Sequence, residues 1–345
     1  MFESLGFETL TAPEAIVFFA LALGLAFGAL AERTKFCFRR GIAGEDRRAA
    51  LGVWLTALAV AVLGTQTAVQ AGLISFAEHR FLSPDLPLAA LLIGGGLFGA
   101  GMVLTRGCAS RLTVLSATGN LRAALVLLVF AFVAHAAMKG VLAPLRLSIS
   151  AYTLPLEATS LPGPSAIWVA LIVGAAGFIA LRSGNRPATL LGAALIGALV
   201  PLAWVGTGFV FYDDFDPVPF ESLAFTAPAA DALFFTVASS AVSANFGAAL
   251  IGGVLAGSLL SSLAFRSFRW QSFETPAQTG RYLLGATLMG FGGVLAGGCT
   301  VGAGLSGIPT LSLSAITAVA AIVAGALVTH SLLTASPRTA AIPAE

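Results

Sequence analysis

Apolar stretches of roughly 17–25 residues follow one another along the whole chain, and that is the length a helix needs to cross the hydrocarbon core of a bilayer. They lie near 15–31, 50–74, 88–105, 122–138, 166–181, 188–210, 246–264, 282–298 and 312–333. In lipid, each backbone polar group must find its partner inside the segment, so such runs fold as helices. Composition agrees: 57% of the residues are hydrophobic and 10% are charged, where an average soluble domain carries about 25% charged residues. Mean hydropathy is +0.93. The short alternating segments of an outer-membrane barrel are not the pattern here. The expectation is an all-α polytopic membrane protein with about nine spanning helices, filling 1–345 as a single domain.

The charges orient it. The start carries Glu3, Glu8 and Glu14 and no basic residue before Arg33, unlike a cleaved signal peptide, so 15–31 reads as a retained first helix. With the N-terminus outside and the sides alternating, most basic residues fall on inner segments, among them Arg33, Lys35, Arg39, Arg40, Arg47, Arg106, Arg111, Arg266, Arg269 and Arg338. Outer segments keep Arg80, Lys139 and Arg146, and the outer loop YDDFDPVPFE is acidic. This positive-inside bias predicts a multi-pass protein of a bacterial inner membrane, in contact with lipid, with N-terminus periplasmic and C-terminus cytoplasmic.

Some pieces are too short to cross. ASRLTVLSAT after Cys108, TVGAGLSGIPT after Cys299 and DALFFTVASSAVS at 231–243 read as re-entrant half-helices, which must be shielded from lipid or line a cavity. Moreover, GGGLFGAGMVLTRGCASR (94–111) aligns without gaps on GATLMGFGGVLAGGCTVG (285–302), pairing Gly107 with Gly298 and Cys108 with Cys299. The two copies would cross in opposite directions. That marks an inverted-topology repeat of approximate halves 1–150 and 185–345, a common transporter plan.

All three cysteines, Cys37, Cys108 and Cys299, sit just after an apolar segment, two of them preceded by glycine. A membrane cysteine is often merely a small hydrophobe. Glycine, however, costs roughly 1 kcal/mol in a helix interior, and a glycine-rich break beside every thiol calls for a reason. Gly107 and Gly298 permit close backbone approach or a positive φ, and a helix starting after the thiol turns free N–H groups toward the break. Ser110 and Thr300 add small hydroxyls. Arg106 and Arg111 flank Cys108, and Arg106 is the candidate for drawing in an anion; the alternative is an ordinary inner-surface role. No CxxC, HExxH, P-loop or dinucleotide fingerprint is present, and His79, His135 and His330 lie far apart. Neither metal nor cofactor is expected. RTKFCFRRGIAGEDRR reads as a cytoplasmic anchor, with no nucleic-acid partner.

The glycine-rich helices ending in Gly-Cys, FGAGMVLTRGCASR and FGGVLAGGCTVGAGLSG, resemble the YeeE/YedE family of sulfur-compound transporters, whose characterised activity is thiosulfate uptake. The resemblance implies an hourglass of inverted halves whose cysteine loops meet at the waist. It implies three functional cysteines on a central path, matched here by Cys37, Cys108 and Cys299, with Cys108 the most critical. It also implies a cytoplasmic TusA-like sulfur-carrier protein as partner. Counting helices puts Cys108 toward the cytoplasm and Cys299 toward the periplasm, whereas the resemblance brings both toward mid-membrane.

The expected function is uptake of the thiosulfate ion, relayed between thiols by S–H hydrogen bonds, with no bond made and hence no enzyme. Three alternatives stay open. One is transport of sulfide, sulfite or a selenium species. Another is a membrane sulfurtransferase or thiol oxidoreductase working through a cysteine persulfide. The third is a soft-metal channel.

Overall fold

A computed structural model of the chain describes residues 11–213, 215–273 and 275–335. Glu3, Glu8, Asp214 and Arg338, used above to orient the chain, lie outside the described residues. Among the described residues, thirteen α-helices run in order: α1 (Ala12–Thr34), α2 (Phe38–Ala43), α3 (Arg47–Gln70), α4 (Leu88–Leu104), α5 (Ala109–Ala117), α6 (Leu121–Lys139), α7 (Ala143–Ser150), α8 (Ser165–Leu181), α9 (Pro187–Val205), α10 (Thr226–Ala238), α11 (Phe246–Ala264), α12 (Pro276–Leu295) and α13 (Leu313–Ala335). A π-wound segment, Thr300–Gly307, follows α12. A two-residue antiparallel pairing joins Asp85–Leu86 to Leu154–Pro155.

Among the described residues, eight helical stretches are long and apolar enough to cross a membrane. The chain is a multi-pass membrane protein. The ninth expected span, 166–181, forms α8, whose 17 residues reach about 26 Å at 1.5 Å per residue, just under a hydrocarbon core of about 30 Å. The short fragment expected at 231–243 begins earlier, as α10 at Thr226, because Pro228 fits in a first turn where no N–H partner is needed. Asn245 instead caps α11, its side chain accepting the Ala248 N–H at 2.8 Å. Thr11 and Glu14 close a capping box on α1.

Small residues decide how the helices meet. α1 lies on α11 with Gly24 and Gly28 facing Gly253 and Gly257, so close that a Cβ at any of the four would strike the other backbone. α4 meets α12 through Gly94, Gly101, Gly285 and Gly292 in the same manner, and meets α13 through Gly95, Gly99 and Gly325. In lipid, where apolar burial offers little preference between helices, such close approach is the main source of association. α3 packs on α9 and α8, and α6 on α12. The breaks beside the cysteines are held inside this frame.

Candidate functional site

Each cysteine follows the same backbone device. α1 ends in left-handed Lys35 (φ 52°), the Phe36 N–H bonds back to Ala31 at 3.1 Å, and extended Cys37 caps α2. α4 ends in left-handed Arg106 (φ 58°), Gly107 bonds back to Met102 at 3.1 Å, and extended Cys108 caps α5. α12 ends in left-handed Gly297 (φ 70°), Gly298 bonds back to Gly293 at 2.9 Å, and Cys299 caps the π segment. The bond five residues back is a Schellman closure. It stops one helix, and two residues later a thiol stands at the start of the next.

The positive φ suggested for Gly107 or Gly298 therefore falls one residue earlier, on Arg106 and Gly297, because the Schellman turn places its left-handed residue directly after the helix. Gly298 does make the expected close approach: a Cβ there would lie 2.9 Å from the Ala303 backbone nitrogen. At Gly107 it would meet only the Leu112 side chain, at 3.1 Å.

All three thiols are free and buried, at 2%, 0% and 1% exposure for Cys37, Cys108 and Cys299. The Cys37 and Cys108 side chains interact directly. Cys108 Sγ lies 3.3 Å from Ser110 Oγ, and the Phe38 and Arg111 amides face it. Cys299 Sγ accepts the Gly302 N–H at 3.3 Å and is faced by the Val301 and Phe225 amides. Arg111 acts on both Cys37 and Cys108 through space, while its Nη1 donates to the Ala31 carbonyl at 3.4 Å. Trp54 spans the middle, its ring 4.5 Å from that of Phe38 and close to Gly304 of the π segment. Thr300 Oγ1, Thr226 Oγ1 and Trp54 Nε1 are buried without a hydrogen-bond partner.

Two cavities flank the thiols. One, of about 940 Å³, is lined by Cys37, Lys35, Arg39, Arg40, Arg47, Arg106, Arg111 and His330; an Arg40–Asp46 ion pair sits in its wall. The other, of about 380 Å³, is lined by Gly302 and Ser306 of the π segment, by His79, Arg80 and Phe81, by Trp204, and by Glu78 and Glu221. They lie toward opposite ends of α3, whose first residue, Arg47, lines the basic cavity and whose last leads toward His79. At the second cavity, burial lowers the pKa of His79 to about 4, aided by neighbouring Arg80. Burial, together with the Asp231 charge, raises that of Glu221 against the opposing pull of Arg80.

The structure thus brings together Cys37, Cys108 and Ser110 on one side, and Cys299, Thr300 and Gly298 on the other. Arg106 stays exposed at the rim of the basic cavity. Arg111, not Arg106, faces the thiols, and its place three residues after Cys108, in the first turn of α5, was the available signal. Thr226, Trp54 and Arg80 were missed. Arg80 at least stood out as a lone cation of its loop.

These features define a class: a multi-pass membrane protein whose helix breaks gather three free thiols between two cavities. The chain belongs to the sulphur-transport family, the YeeE/YedE group that its Gly-Cys segments resemble; the family's sequence profile matches residues 33–328. No curated protein matches the chain.

Proposed function

We propose that the protein takes up thiosulfate across a bacterial inner membrane, N-terminus outside and C-terminus inside, past Cys299, then Cys108, then Cys37. The observation that carries this reading is the placement of all three thiols at helix breaks between a basic cavity and a second one. Thiosulfate is a dianion, and burying bare charge is prohibitive unless donors replace water. Neutral thiols donate weak S–H hydrogen bonds and add no negative charge. The unpartnered Thr300 hydroxyl, the amides around Cys299 and Cys108, and the Arg111 guanidinium supplement them. Several shallow sites in series let an ion pass without being trapped. No step makes a bond, so the protein is a transporter and not an enzyme.

An inverted repeat with re-entrant half-helices is supported by which helices touch. Exchanging α1 with α9, α3 with α11, α4 with α12, and α6 with α13 turns the α1–α11 contact into α9–α3 and the α4–α13 contact into α12–α6. Adding α2 with α10 to the exchange turns α2–α3 into α10–α11, which makes Phe225 and Thr226 the second half's answer to Cys37 and Phe38. The basic cavity, opening at the proposed cytoplasmic face, suits an acidic or thiolate-bearing carrier such as a TusA-like protein.

The contact between Cys37 and Cys108 favours a second reading, thiol redox or sulfur transfer. Uptake of thiosulfate, sulfide, sulfite and selenium oxyanions into cells lacking other sulfur routes tests the cargo. Non-reducing intact-mass spectrometry after exposure tests the chemistry. Unmodified protein supports conduction. A sulfur adduct on Cys108 forming at the turnover rate supports transfer.

A further inference from the structure

The cavity beside Cys299 holds donors that lack acceptors. Trp204 lines it, is 2% exposed, and its Nε1–H has no partner. An indole nitrogen only donates, and leaving such a donor unmet costs about 1–3 kcal/mol. His79 accepts the Phe81 N–H through Nδ1 at 3.3 Å, so its neutral ring carries the proton on Nε2. Its ring also stands edge-on to Trp204, with centroids 5.2 Å apart. Arg80 supplies the cation. One nitrogen, Nη1, donates to the Gly297 carbonyl at 2.9 Å, tying the guanidinium to the break before Cys299 and leaving its other N–H groups for a ligand.

A tetrahedral oxyanion offers the acceptors this set lacks. Glu221 lines the same cavity and acts on Arg80 through space, yet the two make no ion pair; among the described residues the ion pair found is Arg40–Asp46. An ionised carboxylate there would repel an entering dianion across a partly desolvated space. Protonated, the same group becomes a donor. The groups that face Glu221 are Arg80 and Asp231 by charge, with Glu78 and His79 in the cavity wall. Thr207 fixes its backbone, taking the Glu221 N–H at 3.2 Å and donating to its carbonyl at 2.8 Å.

We infer that anion binding in this cavity is proton-linked: Arg80 and Trp204 hold the ion only when Glu221 has taken a proton from the same side. The identity of the anion rests on the uptake reading; the site does not. Burial and Asp231 hold Glu221 above the usual carboxylate range, which brings this protonation closer to neutral pH.

The test is calorimetric titration of the purified protein with thiosulfate between pH 5 and 8.5, a range in which that ion remains a dianion. Buffers of different ionisation enthalpy count the protons. Above the Glu221 pKa, wild type takes up about one proton per anion, and its affinity falls about tenfold per pH unit. Glu221→Gln binds with no pH slope and no proton uptake. Trp204→Phe binds several-fold more weakly with the slope unchanged, and Arg80→Gln loses binding. A wild-type slope in Glu221→Gln, or unaltered affinity in Trp204→Phe, overturns the inference even if Arg80→Gln fails to fold. Proton-linked binding without uptake in vesicles would sink the uptake reading and leave the site standing. Uptake with pH-independent binding would sink the site alone.

Discussion

At Cys108 the left-handed residue before the thiol is Arg106, and an ordinary α-helix follows. At Cys299 it is Gly297, and the segment that follows is π-wound and carries Gly302, Gly304 and Gly307. The backbone closure is the same, but the charge reaches the two loops differently. Arginine in the left-handed region costs roughly 1–2 kcal/mol, and at Arg106 that strain sets a cation on the rim of the basic cavity. Gly297 adopts the conformation freely, and its loop borrows a cation from elsewhere, through the bond from Arg80 to the Gly297 carbonyl. The immediate neighbours differ too: a Cβ at Gly107 would meet the Leu112 side chain, which can shift, while one at Gly298 would meet the Ala303 backbone nitrogen.

That contrast can be broken most sharply at the paired glycines. Gly298→Val drives side-chain atoms into the Ala303 backbone, which cannot give, and is expected to abolish uptake. Gly107→Val displaces the end of Leu112 and is expected to keep uptake within several-fold of wild type. Uptake at matched membrane abundance checks both, and equal losses would erase the distinction. Next in size is the pair of arginines near Cys108. Arg111→Gln removes the charge that faces the thiols and should lower uptake about tenfold, whereas Arg106→Gln at the exposed rim should cost no more than two- to threefold. The reverse order would return the role to Arg106.

Smaller effects fall on stability. Arg106→Gly relieves a left-handed arginine and is expected to stabilise by up to about 1 kcal/mol, while Gly297→Ala introduces that strain and should destabilise by about 1–2 kcal/mol. Thermal unfolding in detergent reads both signs. The smallest shift concerns the second cavity. Burial raises the Glu221 pKa, so its contribution to stability is present in acid and is lost as pH rises through the folded value. Glu221→Gln should therefore melt above wild type at pH 8 and converge with it below about pH 4, under the pKa of the unfolded carboxyl.

Much of this frame could be read from the sequence because the bilayer imposes length and apolarity on each span. The runs at 15–31 and 246–264 became α1 and α11, and helix breaks fall at both Gly-Cys segments, before Cys108 and Cys299. The left-handed residues escaped because two of the three, Lys35 and Arg106, are not glycine; tertiary packing holds them there against local preference. The π winding after Cys299 has no comparable sequence signature. The meeting of Cys37 with Cys108 joins loops 71 residues apart, and no local pattern announces it. Thr226 went unnoticed because the stretch that leads into α10 carries neither a cysteine nor a glycine-rich break.

The central claim is that the buried thiols carry the ion, and Cys108, in contact with both Cys37 and Ser110, is where it is most exposed to test. The direct measurement is uptake of labelled thiosulfate by proteoliposomes containing wild-type protein or Cys108→Ala, each shown monodisperse and equally incorporated. The account predicts accumulation with wild type and none above empty vesicles with Cys108→Ala. Equal initial rates from the two proteins would contradict it.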